Sequence, residues 1–308
     1  MTSERRLYVT GAAGFVGSTI TRLAESLLTP LGFVVVSGAE VDVLQTNLLE
    51  TQLRALQPDY VIHLAALSSV RDSFSNPDDV LRTNLFGTLS LLKAIKAARP
   101  SCRMLYVGTG DVYGKVDTQA LPVSEIQPLR PRNPYAVSKV AAEALCFQAS
   151  QSDGLDIVMA RPFNHIGPGQ SAAFVISSFA RQIAEIRQGQ REAVLRVGNL
   201  DVTRDFTDVR DVIRAYLLLL LQGRSGEVYN VCSGTETKIS DALDALLSIA
   251  GVEARFEVDR KELRPAEQPR MAGDSGKILA ETGWRPEISL RHTLEEMLHH
   301  WSKELNHD

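Results

Sequence analysis

Short apolar runs alternate with amphipathic stretches over roughly the first half of the chain. Residues 7–10, 33–36, 60–65, 104–107 and 157–160 are strand candidates, and the stretches between them carry apolar residues at helical spacing. That alternation predicts a parallel sheet with helices on both faces, an α/β fold of the Rossmann-type doubly wound kind. A later run, residues 228–232, follows a helical stretch over about 212–221 and can add to the same sheet. The larger part is then discontinuous, built from residues 1–163 plus about 205–240. Segments of different texture fill the rest: Gly167-Pro168-Gly169 opens a loop, residues 174–188 read as a helix, and 260–276 is charged, contains proline and has no clear period. About 164–204 plus 241–308 therefore form a smaller, discontinuous α/β domain. No internal repeat or Gly/Ser-type linker separates the two.

Composition narrows the functional classes. The chain has 308 residues, of which 44% are hydrophobic and 23% charged, enough for a substantial core. Its longest greasy stretch, residues 215–221, is far shorter than the roughly 20 residues that cross a bilayer, so no membrane span is expected. Cys102, Cys146 and Cys232 are too scattered for a disulfide framework or a metal site. Together with a first segment that shows no secretion signal, they point to the cytoplasm. A net charge of -4 without a dense Lys/Arg block argues against nucleic acid. An anionic small ligand would have to be bound by isolated arginines.

Two motifs carry chemistry at the residue level. The first strand runs into Gly11, Gly14 and Gly17, with a helical pattern behind them. Glycines at a strand-to-helix turn allow a tight bend and let a pyrophosphate approach backbone N–H groups at the helix start, which predicts a dinucleotide site. Where the second strand ends, Ser37-Gly38-Ala39 replaces the acidic residue that would grip an adenosine ribose, and no arginine stands beside it, so neither NADH nor NADPH is selected. Asp42 and Val43 follow and are candidates for the adenine ring, Asp42 serving equally well as a turn residue. The second motif is Tyr135 and Lys139, four apart behind Asn133-Pro134, a good cap and first position for a helix. Residues four apart share a helix face, so Lys139 and the helix dipole are expected to lower the phenol pKa from ~10 toward neutrality. Thr109, at the end of the fourth strand, is placed to share a substrate oxygen with Tyr135.

In order, Gly11-x-x-Gly14-x-x-Gly17, Val112-Tyr113-Gly114, Tyr135-x-x-x-Lys139 and Arg161-Pro162-Phe163-Asn164 resemble the extended short-chain dehydrogenases that act on nucleotide sugars. Residues 109–114, 161–170 and 201–206 are similar to the members that reduce GDP-4-dehydro-6-deoxy-D-mannose to GDP-D-rhamnose. The resemblance implies Tyr135 as catalytic acid, with Lys139 and Thr109. It implies a cofactor, NADPH or NADH, held by Gly11, Gly14, Phe15, Val16, Gly17, Asp42, Val43, Leu64, Ala65, Ala66, Tyr135 and Lys139. It implies a GDP-linked 4-keto-6-deoxy-hexose against Thr109, Gly110, Tyr135, Asn164, Arg181, Arg204, Arg264 and Glu267, the arginines serving the pyrophosphate. A homodimer is implied through helices near 80–98 and 135–150. One departure is Gly108, where many relatives carry serine. A GDP-mannose 4,6-dehydratase would need a polar pair after Thr109, where Gly110-Asp111 stands; an epimerase of the same fold and a non-catalytic dinucleotide sensor are the other readings.

Overall fold

A computed structural model describes residues 4–259 and 268–306. Its strands are β1 (Arg5–Thr10), β2 (Phe33–Val35), β3 (Tyr60–His63), β4 (Arg103–Val107), β5 (Ile157–Pro162), β6 (Asn164–Ile166), β7 (Val194–Val197), β8 (Thr203–Asp208), β9 (Val228–Val231), β10 (Glu236–Lys238) and β11 (Arg255–Val258). The helices are α1 (Phe15–Arg22), α2 (Thr46–Leu56), α3 (Val70–Ser75), α4 (Pro77–Leu81), α5 (Gly87–Ala98), α6 (Pro134–Ser152), α7 (Val175–Arg187), α8 (Val209–Gln222), α9 (Ile239–Ala250), α10 (Gly276–Thr282) and α11 (Leu290–Glu304).

Six parallel strands form the main sheet in the order β2-β1-β3-β4-β5-β9. All six lie at the expected runs, and the late strand β9 does join the sheet beside β5. Side chains of a strand alternate between its faces, and both faces are covered here. Leu7, Val9, Ile62, Leu105, Val107, Val158 and Ala160 pack with α1 and α8. Tyr8, Val61, Met104, Tyr106, Ile157 and Met159 pack with α2, α5 and α6. That two-sided burial is why the strands read as continuous apolar runs instead of alternating ones.

A third cluster gathers Ile176, Phe179 and Ile183 of α7, Leu243 and Leu246 of α9, and Leu294 and Leu298 of α11. Two small sheets accompany it, β10-β8-β6 and β11-β7. The segment from Gly276 to Trp284, grouped by sequence with the smaller part, buries Ile278 and Trp284 in the cluster on the α1 and α8 face of the main sheet. Chain order reverses at β1, with β2 on one side and β3 on the other, and ligands of open α/β sheets bind at the carboxyl ends of strands beside such a switch.

Candidate active site

The glycine turn lies at that switch point. Gly11 adopts φ +70°, and a Cβ on it would lie 2.7 Å from the Ala65 backbone nitrogen in the loop after β3. Glycine is required there by conformation and by space. A Cβ on Gly17 would lie 2.5 Å from the Gly11 carbonyl oxygen, so its absence lets α1 press against the turn. Gly14 differs: the Gly11 oxygen, at 3.3 Å, is all its Cβ would meet within 4 Å. Gly14 caps α1 with no side-chain hydrogen bond to the first turn, so the N–H groups of that turn, Phe15 and Val16 included, are left for an anion. This cradle fits a dinucleotide pyrophosphate.

Around it, His63 fixes the loop that carries Leu64, Ala65 and Ala66. The Thr88 hydroxyl donates to the Asn84 carbonyl at 2.7 Å, so it accepts from His63 Nε2 at 3.0 Å. That tautomer leaves Nδ1 to accept from the Thr10 hydroxyl at 2.8 Å, whose oxygen accepts from the Ala65 N–H at 3.3 Å. Burial, then the Lys139 charge, pulls the His63 pKa down to about 3. The unfolded chain takes up that proton near pH 6.5 and the native one near 3, so this group removes stability as pH falls between the two. The loss is on the order of 1.4 kcal/mol per pH unit. Urea unfolding at pH 6 and pH 4 should show a larger drop for the unaltered chain than for His63→Gln; equal drops would contradict it.

Asp42 and Val43 serve the turn itself. Asp42 Oδ1 accepts from the Leu44 N–H at 3.0 Å, and Val43 is buried against the position a Gly87 Cβ would take. The Phe15 ring stacks on His165 at 6.2 Å, tying the glycine turn to β6. Its side chain is thus a packing element, and the backbone is what it offers a cofactor.

α6 starts as expected: the Asn133 side chain accepts from the Ala136 N–H at 2.7 Å, with Pro134 at the first position. Tyr135 and Lys139 are both buried, at 8% and 6% exposure. Thr109 caps the turn after β4 by accepting from the Asp111 N–H at 3.2 Å, and it lies close enough to the Tyr135 phenol to act on its titration. The three predicted catalytic residues are therefore together. Their electrostatics differ from the sequence expectation. The Tyr135 pKa is raised, by burial first and the Asp111 carboxylate second, and Thr109 opposes this only in part. The Lys139 ammonium donates to the Val107 carbonyl at 2.8 Å over the Tyr106 ring, and burial lowers its pKa to about 8. Lys139 is not turned on the phenol, and desolvation outweighs the helix dipole.

Gly110 is buried, and a Cβ on it would lie 3.1 Å from the Phe163 ring, so glycine lets that ring brace the turn. Asn164 follows Phe163, is exposed, and starts β6. A side chain on Gly108 would point inward, toward the Ala160 carbonyl and Glu143, so a serine there would not reach the crevice. Arg204, on β8, donates to the carbonyls of Thr203 and Gln268 at 2.7 and 2.8 Å. Arg181 is half exposed on α7, bonded to Glu185 and lying over the Trp301 ring. Arg264 and Glu267 lie outside the described residues.

Sequence reasoning missed Asn84, Glu143 and the buried role of Arg161. Asn84 accepts from the Leu67 N–H and donates to the Leu67 carbonyl and the Ser138 hydroxyl, which in turn donates to the Tyr135 carbonyl. It clamps the loop after β3 to the start of α6. A lone asparagine gives no signal in sequence; Glu143, four residues past Lys139, did. Among the described residues no group of three or more His, Cys, Asp or Glu is placed to hold a metal ion.

A phosphate-ready turn at the switch point, with a buried Tyr/Lys pair across the crevice, defines a nicotinamide-dependent oxidoreductase of the extended short-chain dehydrogenase type. The chain belongs to the family described as GDP-mannose 4,6 dehydratase, whose profile matches residues 35–297. It is 45% identical over 304 residues to a GDP-6-deoxy-D-mannose reductase of Pseudomonas aeruginosa, covering 99% of each chain. It is 29% identical to a GDP-mannose 4,6-dehydratase of Vibrio cholerae, over 83% of this chain and 76% of that one. Its fold matches the structure of RMD from Pseudomonas aeruginosa complexed with NADPH, with TM-score 0.92, 46% identity, and coverage of 97% of this chain and 99% of that one.

Proposed function

We propose that this chain reduces the C4 ketone of GDP-4-dehydro-6-deoxy-D-mannose to GDP-D-rhamnose, using NADPH or NADH. The observation that carries the reading is the Tyr135 phenol, buried beside Thr109 at the carboxyl end of β4, in a chain so similar along its whole length to a reductase of that name. The bound nicotinamide supplies the hydride that C4 receives. Tyr135 gives its proton to O4 and leaves a phenolate, completing the alcohol. A raised pKa suits this direction, because the phenol stays protonated near neutral pH and a developing alkoxide is a far stronger base than a phenolate. Thr109 orients the phenol. Lys139, charged at neutral pH and held at the carboxyl end of β4, serves the cofactor and supplies positive potential in the crevice.

The sugar nucleotide lies along Asn164 and Arg204, its pyrophosphate toward the arginines, with Arg264, Glu267 and Arg181 as further contacts by family resemblance. The larger part holds the cofactor and the smaller part the GDP-sugar. Against dehydratase chemistry stands Gly110, which offers no polar side chain beside Thr109 and is buried against Phe163. We further infer a cytoplasmic homodimer: three buried free cysteines favour a reducing compartment, and Phe86, Val137 and Phe147 expose apolar surface on the α5/α6 side. The test is spectrophotometric. The keto-sugar added to the chain and NADPH should consume one NADPH per sugar; no consumption would sink the reading.

A further inference from the structure

Tyr135, Lys139 and Glu143 follow one another at intervals of four along α6, and all three are buried. A lysine and a glutamate four apart on a helix are within ion-pairing reach, and in a buried setting their attraction is strong. Here they do not pair. Arg161, at the end of β5, holds both carboxylate oxygens of Glu143, Nε to Oε2 at 2.9 Å and Nη2 to Oε1 at 2.6 Å. Its Nη1 donates to the Tyr113 hydroxyl at 2.9 Å, and that hydroxyl donates to Asn230 Oδ1 at 2.6 Å. The guanidinium is thus tied to the turn that begins with Thr109 and to β9.

The two side chains flank one peptide. Lys139 Nζ lies on the Val107 carbonyl, and Glu143 Oε2 lies 3.6 Å from where a Gly108 Cβ would be. Burial is what chiefly raises the Cys146 thiol, and both charges are felt there as well, Glu143 pushing it up and Lys139 pulling it down. The other titratable groups around Lys139 are Cys146 and, one turn back, Tyr135 on its own helix, Tyr106 on β4 and His63 on β3. Burial keeps the thiol and phenols protonated and the imidazole neutral, which leaves Glu143, one turn along the same helix face, as the acid whose charge bears on Lys139.

We propose that Arg161 is a positioning residue for the reaction: by taking both oxygens of Glu143 it keeps that anion off the Lys139 ammonium, which stays on the Val107 carbonyl and available to the crevice. The proposal rests on the reading of the reaction given above. A planar bidentate cation suits this task, whereas a lysine at 161 would hold one oxygen and free the other.

The test compares the full chain with Arg161→Met, Glu143→Gln and the double variant. Two quantities are read: the pH dependence of kcat and KM for NADPH-driven reduction of the keto-sugar, and the titration of the Lys139 ammonium, by NMR of carbon-13-labelled lysine. In Arg161→Met the freed carboxylate should pair with Lys139, raising its titration by about one pH unit, a tenfold change in its proton equilibrium. The value of kcat should drop about tenfold or more while KM for the sugar changes little. Glu143→Gln should leave the Lys139 titration where it is, and the double variant should restore both quantities to near the starting values. A purely structural pair predicts instead that the titration stays put and that the double variant is no better than either single one; that outcome overturns the proposal. If Arg161→Met does not fold, Arg161→Lys takes its place with a smaller upward shift expected, and an unmoved titration is again contrary. An inactive starting protein would sink the reaction itself, while the lysine titration would still judge the pair.

Discussion

Replacing Tyr135 with phenylalanine is expected to lower kcat by about 10²–10⁴-fold, the span usual for loss of a positioned general acid. The hydride can still be delivered, but O4 is left to find a proton from water in a buried site. Binding of NADPH should persist, since the cradle at Gly14 is built by β1 and α1, remote in sequence from the phenol. The fold should persist as well: the Tyr135 ring keeps its place at the start of α6, and only the hydroxyl is removed. Steady-state kinetics with a melting curve and an NADPH titration separate the three effects. Activity above a few per cent of the starting value would remove Tyr135 from the role of acid.

Gly17→Ala is expected to be damaging for a different reason. The new methyl carbon would lie 2.5 Å from the Gly11 oxygen, 2.6 Å from Ala12 Cα and 2.8 Å from the Ala12 carbonyl carbon. All three are backbone atoms, so no side chain can swing aside, and relief requires α1 to move off the turn. Overpacking of this kind costs about 1–3 kcal/mol, and the same displacement misplaces the N–H groups that would meet a pyrophosphate. A lower melting temperature and a loss of NADPH affinity of roughly tenfold or more are expected together. Gly14→Ala makes the contrast, since its methyl group meets only the Gly11 oxygen at 3.3 Å. It should melt close to the unaltered chain and lose affinity alone. Equal stability and equal affinity for Gly17→Ala would contradict the tight turn.

The main sheet was legible because its strands are buried on both faces and so announce themselves as apolar runs, as β1 does with Leu7 and Val9 on one side and Tyr8 on the other. The small sheets were not. β6 and β10 are three residues long and polar, and β8 spends buried positions on acids. Asp205 shows why: its carboxylate accepts from the N–H groups of Ser233, Gly234 and Gly273 and from the Ser233 hydroxyl, so a fully buried strand residue reads as a loop residue.

The candidate site divides in the same way. Glycines, capped helix starts and four-residue spacings are local, and they located the turn and the Tyr135/Lys139 pair. Charge balance in the crevice depends on partners far apart in the chain. Desolvation and then Asp111 raise the phenol, Val107 holds the ammonium, and Arg161 occupies Glu143. None of these follows from spacing along one helix, which is why the direction of the Tyr135 shift was misjudged from sequence. Glu143 is the instructive case, because its position in the Tyr135, Lys139, Glu143 series was visible while its partner was 18 residues away on another element.

The most direct measurement follows the hydrogen itself. The chain is given GDP-4-dehydro-6-deoxy-D-mannose and NADPH carrying deuterium at the transferable position of the nicotinamide, and the sugar nucleotide is recovered for NMR and mass analysis. The account predicts GDP-D-rhamnose with one deuterium, at C4. A product without deuterium, or with it at another carbon, or turnover confined to GDP-mannose with release of a 4-keto sugar, would contradict it.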